Sequence, residues 1–572
     1  MASLNRRVAV LMDAIEDDYQ AAIVRGITRT NARAHVQLLC LAGGVVGGPL
    51  ADHRSQRNFL FDIIDPQALD GVISLSAALG NHLGVDGFTR WLKRFARVPL
   101  VSLGTELPGL HSISVDNRAG MRALVLHLVT IHRRRRVAFI RGPTTSHEAE
   151  ERYLSYRAAL EESGIEVDER LVLEGDWLRE SGMRAVRGLM ERRGLRIETI
   201  DAIASANDYM ALGALDELNA HGIAVPEAVA LAGFDDLDAL RGVVPTLTTV
   251  RQPTEELGAS GLQSLLALMN DGEKPISQTL AAQLVVRRSC GCLQHDTTYD
   301  RKPVAAHGRG FEANLIENRA LICAELSRSA RGALFSAGSG WEDRLFAAFL
   351  SDVVGEEPRV FVDALAKIAL KLRRSAAENG MLETVLKTMR RRVLDCAGSD
   401  ANALARAAET LDEARDTLAD FMQRDEVCQK INALHQVREF SALVALLLRA
   451  PSIETLQAAF ADRLGALGIG AFSLGLFTEP DRVTESCVCL AAFSDTKRLV
   501  PPKVFRTRDL APPELLVGDT RPVLVQPLVF NGAPIGVVTS TLGVMETNVY
   551  EQLRESMSAG LQGYRLARGD GQ

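Results

Sequence analysis

Three observations predict an α/β fold with a largely parallel sheet for the first half of the chain. From Arg6 to about Arg288, short β-branched or apolar runs alternate with longer helical patterns. The runs are almost continuously apolar, as strands are when helices cover both faces of a sheet. Each ends in Gly, Asp, Ser or Asn, which places polar groups at the carboxyl ends of parallel strands, where open α/β sheets hold their ligands.

The predicted strands are VAVLMD (8–13), VQLLCLAG (36–43), GVISLS (71–76), LVSLG (100–104), VAFIRG (137–142), AIASAND (202–208) and VALAGFDD (229–236). After Cys292 the pattern changes: residues 293–310 are polar, unpatterned and interrupted by Pro303, and read as a linker. From Phe311 to Leu448, apolar residues recur at three- and four-residue spacing among Ala, Leu, Arg and Glu, which predicts a helical bundle. Its last helix, Asn402 to Leu448, carries an irregular apolar stripe that suits a bundle core and a dimerising helix equally. Residues 451–572 alternate again: a helix, strands at 471–477 and 486–493, a Pro-rich loop, strands at 523–530 and 534–542, and a helix at 548–566. That order predicts a small antiparallel α+β unit. The domain boundaries are therefore 1–292, 293–310, 311–450 and 451–572.

With 572 residues, the chain exceeds a single core and implies about three domains. At 47% hydrophobic and 24% charged residues, with 46 Gly and 20 Pro, it is of ordinary globular composition, which excludes disordered, collagenous and pure coiled-coil classes. A net charge of −7 argues against intrinsic nucleic-acid binding, which needs a cationic face to displace counterions. The N-terminal apolar stretch is broken by Asp13, Glu16 and Asp17, unlike a signal peptide. No apolar run reaches the roughly 20 residues of a membrane span, so a cytoplasmic protein is expected.

Eight cysteines in a long chain without secretory features read as reduced thiols. The pairs Cys290/Cys292 and Cys487/Cys489 lack the Cys-x-x-Cys spacing and the nearby His that structural zinc sites favour. They are read as ordinary buried thiols, and no metal or cofactor is expected.

Five segments carry a resemblance: ISVDNRAGMRALVLHLVTIHRRRRVAFIRGP (113–143), EAEERYLSYRAAL (148–160), EGDWLRESG (174–182), ASANDYMALGALDELNAHGIAVPEAVALAGFDD (204–236) and VPTLTTVRQPTEELGASGLQSLL (244–266). Together they resemble the effector-binding domain of the LacI/GalR repressor family, which shares the two-lobed fold of periplasmic sugar-binding proteins. The resemblance covers about half the chain and implies a site at the lobe interface. It implies Asp13 and Tyr19 on the rim of the first lobe, Asp116 from the VDN segment and Arg152 as a ligand-clamping arginine. It further implies Trp177 from GDW, Asn207 from AND and Asp235 from GFDD. Such residues suit polyhydroxylated solutes, because Asn donates and accepts, Asp accepts from two hydroxyls, Arg offers a forked donor and Trp covers an apolar ring face. Capping of the helices that follow is the competing role for Asp116, Asn207 and Asp235, and rim packing for Tyr19 and Trp177; ligand contact is preferred for the first three because they coincide at one sheet edge. The basic run Arg133–Arg136 reads as a solvated turn.

Family repressors place a helix-turn-helix ahead of the sensor, whereas here a sensor strand starts by Val8, so no such module is expected. The segments VRRSCGC (286–292) and 43–65, with the helical and GAF-like regions beyond, resemble the input half of bacterial hybrid sensors. Neither a GGDEF motif nor a kinase Gly box follows, and His435 lacks a phosphoacceptor context. The GAF-like region shows no convergent polar set and reads as a scaffold or dimerisation element. No HExxH, Gly-x-Ser-x-Gly or P-loop motif supports an enzyme. The expected function is therefore that of a homodimeric sensor of a sugar-like or nucleoside-like solute. It would pass lobe closure through its C-terminal half to a separate output protein, without membrane contact or direct DNA contact. The alternative is a LacI-type transcriptional regulator that acts on DNA through a partner or a cryptic site.

Overall fold

The computed structural model describes residues 6–49, 52–191, 199–237, 242–271, 277–292, 310–330, 340–354, 359–371, 376–397, 400–449, 460, 463–465, 467–479, 482–494, 497–498, 503–512, 515, 521–543 and 547–568. Residues 293–309, the predicted linker apart from Gly310, lie outside them. The chain divides into two compact units, one of residues 1–297 and 436–572, the other of residues 298–435.

In the first unit, β1 (Arg7–Met12), β2 (Gln37–Ala42), β3 (Gly71–Leu75), β4 (Leu100–Gly104) and β5 (His111–Val115) form one parallel sheet. A second parallel sheet contains β6 (Val137–Arg141), β7 (Val172–Glu174), β8 (Ala202–Ser205) and β9 (Ala230–Ala232), in the order β7-β6-β8-β9. Between and beside them run β10 (Thr249–Arg251), β11 (Ser277–Leu280), which returns to pair with β5, and β12 (Gln283–Val285), which pairs with β10. These are two α/β lobes, each with its own core: Val10, Ile73 and Val101 in the first, Phe139, Ile203 and Leu231 in the second. The helices here are α1 (Asp18–Ala34), α2 (Phe59–Ile63), α3 (Ser76–Leu79), α4 (Gly84–Leu92), α5 (Asn117–Leu126), α6 (His147–Glu162), α7 (Arg179–Glu191), α8 (Asp208–Ala220) and α9 (Thr254–Asp271).

Glycines set how closely two of these helices pack. A Cβ on Gly26 of α1 would lie 1.9 Å from the Glu255 carbonyl oxygen, and one on Gly258 of α9 would lie 2.1 Å from that of Ile23. The helices therefore cross backbone to backbone, and no side chain fits without separating them. Gly26→Val is expected to destabilise the first lobe by roughly 1–3 kcal/mol, an overpacking cost that urea unfolding would measure.

The C-terminal strands are β13 (Ala471–Phe477), β14 (Ser486–Ser494), β15 (Lys497–Arg498), β16 (Lys503–Arg506), β17 (Val523–Phe530) and β18 (Ala533–Thr541). They are antiparallel among themselves. They also continue the first lobe's sheet, because β17 pairs in parallel with β2 through Val523↔Leu39, Leu524↔Cys40 and Val525↔Leu41. Every residue of β2 is buried, with β1 on one edge and β17 on the other. The final helix of the chain (Thr547–Arg568) packs its Tyr550, Leu553, Met557 and Leu561 into the same core as Val10 and Ile73.

The second unit is helical among its described residues. Its helices are α10 (Phe311–Glu317), α11 (Arg319–Ser329), α12 (Trp341–Val354), α13 (Val360–Lys371), α14 (Ala376–Ala397) and α15 (Ala401–Arg449), the last of which runs on beyond the unit. Leu315, Phe346, Phe349, Leu382, Met389 and Leu411 fill its core. Arg392 is buried there, its Nε donating to the Glu325 carboxylate at 2.6 Å. No helix of the described residues is long and apolar enough to cross a membrane.

Candidate ligand site at the strand carboxyl ends

The first two turns of α6 bring Glu148 and Arg152 to the carboxyl ends of the second lobe's strands. Ser146 caps this helix, and both residues are buried, Arg152 being 2% exposed. The guanidinium lies over the Phe234 ring at 3.9 Å, and its Nε donates to the Asn117 side-chain oxygen at 2.9 Å. One terminal nitrogen donates to the Ala206 carbonyl at 2.7 Å and lies 3.5 Å from the Asp235 carboxylate; the other lies 3.8 Å from Glu148. Asp235 also accepts from Gln252 Nε2 at 2.7 Å. Its φ is +123°, a region that non-glycine residues occupy only where the surrounding structure enforces it. Burial raises its carboxyl to about 6 despite Arg152. Burial likewise raises Glu148 to about 7, again against Arg152.

Tyr19, at the start of α1, faces this group across the lobe boundary, and its hydroxyl is held well above its ordinary pKa by burial and then by Glu148. Tyr19 Oη, Glu148 Oε1 and Gln252 Oε1 are buried without a hydrogen-bond partner. Tyr209 Oη donates to Asp18 at 2.9 Å, and Thr145 donates to the Asn81 carbonyl, so both lobes are bridged beside the group. A solvent-open cleft lined by Ser76, Asn81, Phe88, Thr105, Thr145 and Ser146 among others adjoins the start of α6.

The seven residues named from the sequence divide in three. Tyr19, Arg152 and Asp235 come together. Asn207 and Trp177 stand beside them: the Asn207 side-chain oxygen caps α8 through Met210 N, and its nitrogen donates to the Trp177 carbonyl at 2.9 Å. Trp177, at φ +74°, lies 5.5 Å from the Arg152 guanidinium. Asp13 and Asp116 have other partners. Asp116 caps α5 through Ala119 N at 2.8 Å, and Asp13 lies 3.3 Å from Arg54. Burial holds Asp13 at about 6, and its Oδ1 is buried without a partner. Asn117, Glu148 and Gln252 were not singled out from the sequence. Asn117 stands one position after Asp116, within the same VDN segment.

Residues 126–290 match the family model of the periplasmic binding protein-like domain. Residues 126–290 thus carry a periplasmic binding protein-like domain, in agreement with the two-lobed α/β architecture described above. The HTH-type transcriptional regulator CelR of Thermobifida fusca is 35% identical over 229 residues, 39% of this chain and 64% of that protein. The HTH-type transcriptional repressor CytR of Escherichia coli K12 is 28% identical over 290 residues, 50% of this chain and 80% of that protein. A solved CelR–cellobiose complex aligns at 30% identity over 50% of this chain and 85% of that one, with a TM-score of 0.43. The chain thus spans a little under two thirds of CelR, and 52% of AscG of Escherichia coli, a further HTH-type regulator.

Proposed function

We propose that the protein is a solute-responsive transcription regulator whose two lobes close on a sugar-like or nucleoside-like molecule. The observation that carries the ligand half of this reading is the set of buried unpaired groups, Tyr19 Oη, Glu148 Oε1 and Gln252 Oε1, gathered around Arg152 and Asp235. Buried polar atoms are rarely left unpaired in a native fold, and hydroxyls of a bound solute would satisfy these. The regulatory half rests on the relatives, which are HTH-type transcription regulators and not enzymes. They count against the expectation from net charge that DNA is not a partner, and they favour the alternative named from the sequence. A whole-chain charge of −7 says little about any one face, and one basic face suffices to bind DNA.

Thermal-shift screening against pentoses, hexoses, disaccharides and nucleosides tests the ligand half. A true ligand at a hundredfold its dissociation constant stabilises by about 2.7 kcal/mol. Tyr19→Phe and Glu148→Gln should each weaken it roughly tenfold, the loss of one buried hydrogen bond, while leaving the protein folded; unchanged affinity in both would remove them from the site. Solute-sensitive mobility shifts on promoter DNA at physiological salt test the regulatory half.

The C-terminal half enters this reading as a GAF-like scaffold in a cytoplasmic homodimer that relays lobe closure. Val427, Ile431 and Leu434 on α15 are at least half exposed and recur at i, i+4 and i+7, the spacing of one helix face. The full chain should be a dimer by light scattering, and Ile431→Glu with Leu434→Glu should shift it toward monomer.

A further inference from the structure

We propose that His127, His132, Cys290 and Cys292 form a closed Zn²⁺ site that fastens the end of the sensor domain to its second lobe. The four residues come from two places far apart in the chain. His127 follows α5 directly and opens a widened π-helical turn (His127–Ile131), and His132 comes one residue after that turn. The turn brings the two imidazoles to 5.0 Å between ring centres at an interplanar angle of 77°. Cys290 ends a short 3-10 helix (Arg288–Cys290), Gly291 follows at φ +106°, and Cys292 is next. The glycine permits a reversal that returns the second sulfur to the side of the first. A Cβ at position 291 would only touch the His132 ring, at 3.4 Å, so the demand for glycine here comes from the backbone conformation.

The four candidate donor atoms lie within 4.8 Å of one another. His127 Nε2 is 3.4 Å from Cys290 Sγ and 3.6 Å from Cys292 Sγ, and His132 Nε2 is 3.2 Å from Cys292 Sγ. A tetrahedral zinc with Zn–S of about 2.3 Å and Zn–N of about 2.0–2.1 Å requires sulfur-to-nitrogen separations of about 3.6 Å. Sulfur–imidazole hydrogen bonds account for each distance singly. They do not by themselves call for two thiols and two imidazoles converging on one point, which is the donor set and number of a structural zinc site.

The cysteines are held from behind. Ser289 is buried; its hydroxyl donates to the Leu231 carbonyl and accepts from Thr248 N, and its amide donates to the Thr246 carbonyl at 3.0 Å. Cys290 Sγ lies 3.3 Å from the Arg287 carbonyl oxygen. The segment is thus pinned to the second lobe's strands before any metal arrives, as a preorganised site requires. On binding, Zn²⁺ would displace two thiol protons to solvent, leaving a neutral centre of two thiolates and two neutral imidazoles. The site commits four protein ligands and leaves no open position, so its role is structural. Cys487 and Cys489, the other Cys-x-Cys pair, are buried, and Cys487 Sγ lies 3.4 Å from Thr507 Oγ1. Among the described residues, only the first pair is met by histidines in such a cluster.

The test uses the untagged full chain, purified under reducing conditions from zinc-supplemented cells. Elemental analysis should give about one zinc per chain. The double variant Cys290→Ser/Cys292→Ser should lose it, and Cys487→Ser/Cys489→Ser should keep it. If the first double variant does not fold, cobalt(II) exchange into the wild-type protein decides: an intense visible spectrum with thiolate-to-cobalt charge transfer supports tetrahedral ligation that includes sulfur. A pale octahedral spectrum, a zinc-free protein whose thiols titrate freely after exposure to zinc, a Cys290–Cys292 disulfide in the reduced preparation, or zinc lost with Cys487/Cys489 would each overturn the proposal.

Discussion

Arg152→Met is expected to abolish solute binding and to cost the fold roughly 3–5 kcal/mol, the penalty for leaving buried charges without their partner. The side chain is 2% exposed, and four groups depend on it: the Asn117 amide oxygen, the Ala206 carbonyl, Asp235 and Glu148. Methionine fills much of the volume and rests on Phe234, so the loss reports charge and hydrogen bonding rather than a void. Urea unfolding followed by calorimetric titration with a solute from the thermal screen separates the two effects. A variant that stays as stable as the parent and binds as tightly would show that Arg152 holds neither the lobe nor the ligand.

A second large effect concerns pH. Glu148 is raised from its ordinary 4.5 to about 7, first by burial, with Arg152 opposing. Between those two values the unfolded chain has released this proton and the folded chain retains it, so folding stability falls as pH rises through the interval. The whole interval corresponds to roughly 3 kcal/mol from this residue, present in full below about pH 4.5. Asp13 and Asp235, each raised from 3.8 to about 6 by burial, act in the same direction over a lower window. Denaturation midpoints of the ligand-free protein should therefore decline between pH 5 and 7. Glu148→Gln should flatten that decline; an unchanged slope in the variant would assign it elsewhere. A solute that donates a hydroxyl to Glu148 favours the ionised form and should bind more tightly above pH 7.

Sequence patterning reached strands whose apolar runs stand clear of their neighbours. LVSLG (100–104), AFSLGLF (471–477) and VLVQPLVF (523–530) coincide with β4, β13 and β17 residue for residue. It passed over β5 (HSISV) and the short β10 and β12, whose few residues mix polar with apolar side chains. The pairing of β2 with β17 was not legible either, since an apolar strand announces that both edges and faces are covered but not by what. At the ligand site, Arg152 and Asp235 could be named because charged residues within a motif stand out. Glu148 could not: in EAEERY it looks like one more carboxylate on a wet helix face, and only the docking of the first turn of α6 buries it. His127 and His132 lie about 160 positions from the cysteines they approach, a distance that spacing rules for metal motifs do not cover.

The β2–β17 pairing bears on how the chain can be cut. The backbone leaves the first unit after Thr297 and rejoins it at Gln436, so the helices between are spliced into a body whose two parts are laced together by main-chain hydrogen bonds and a common core. A nick among those helices would sever the covalent thread without undoing the lacing. Two polypeptides, one ending before residue 340 and the other beginning after it, should reconstitute when coexpressed and copurify as a pair. The first made alone would present β2 as a bare edge, with Leu39 and Leu41 uncovered, a template for stacking onto its own copies.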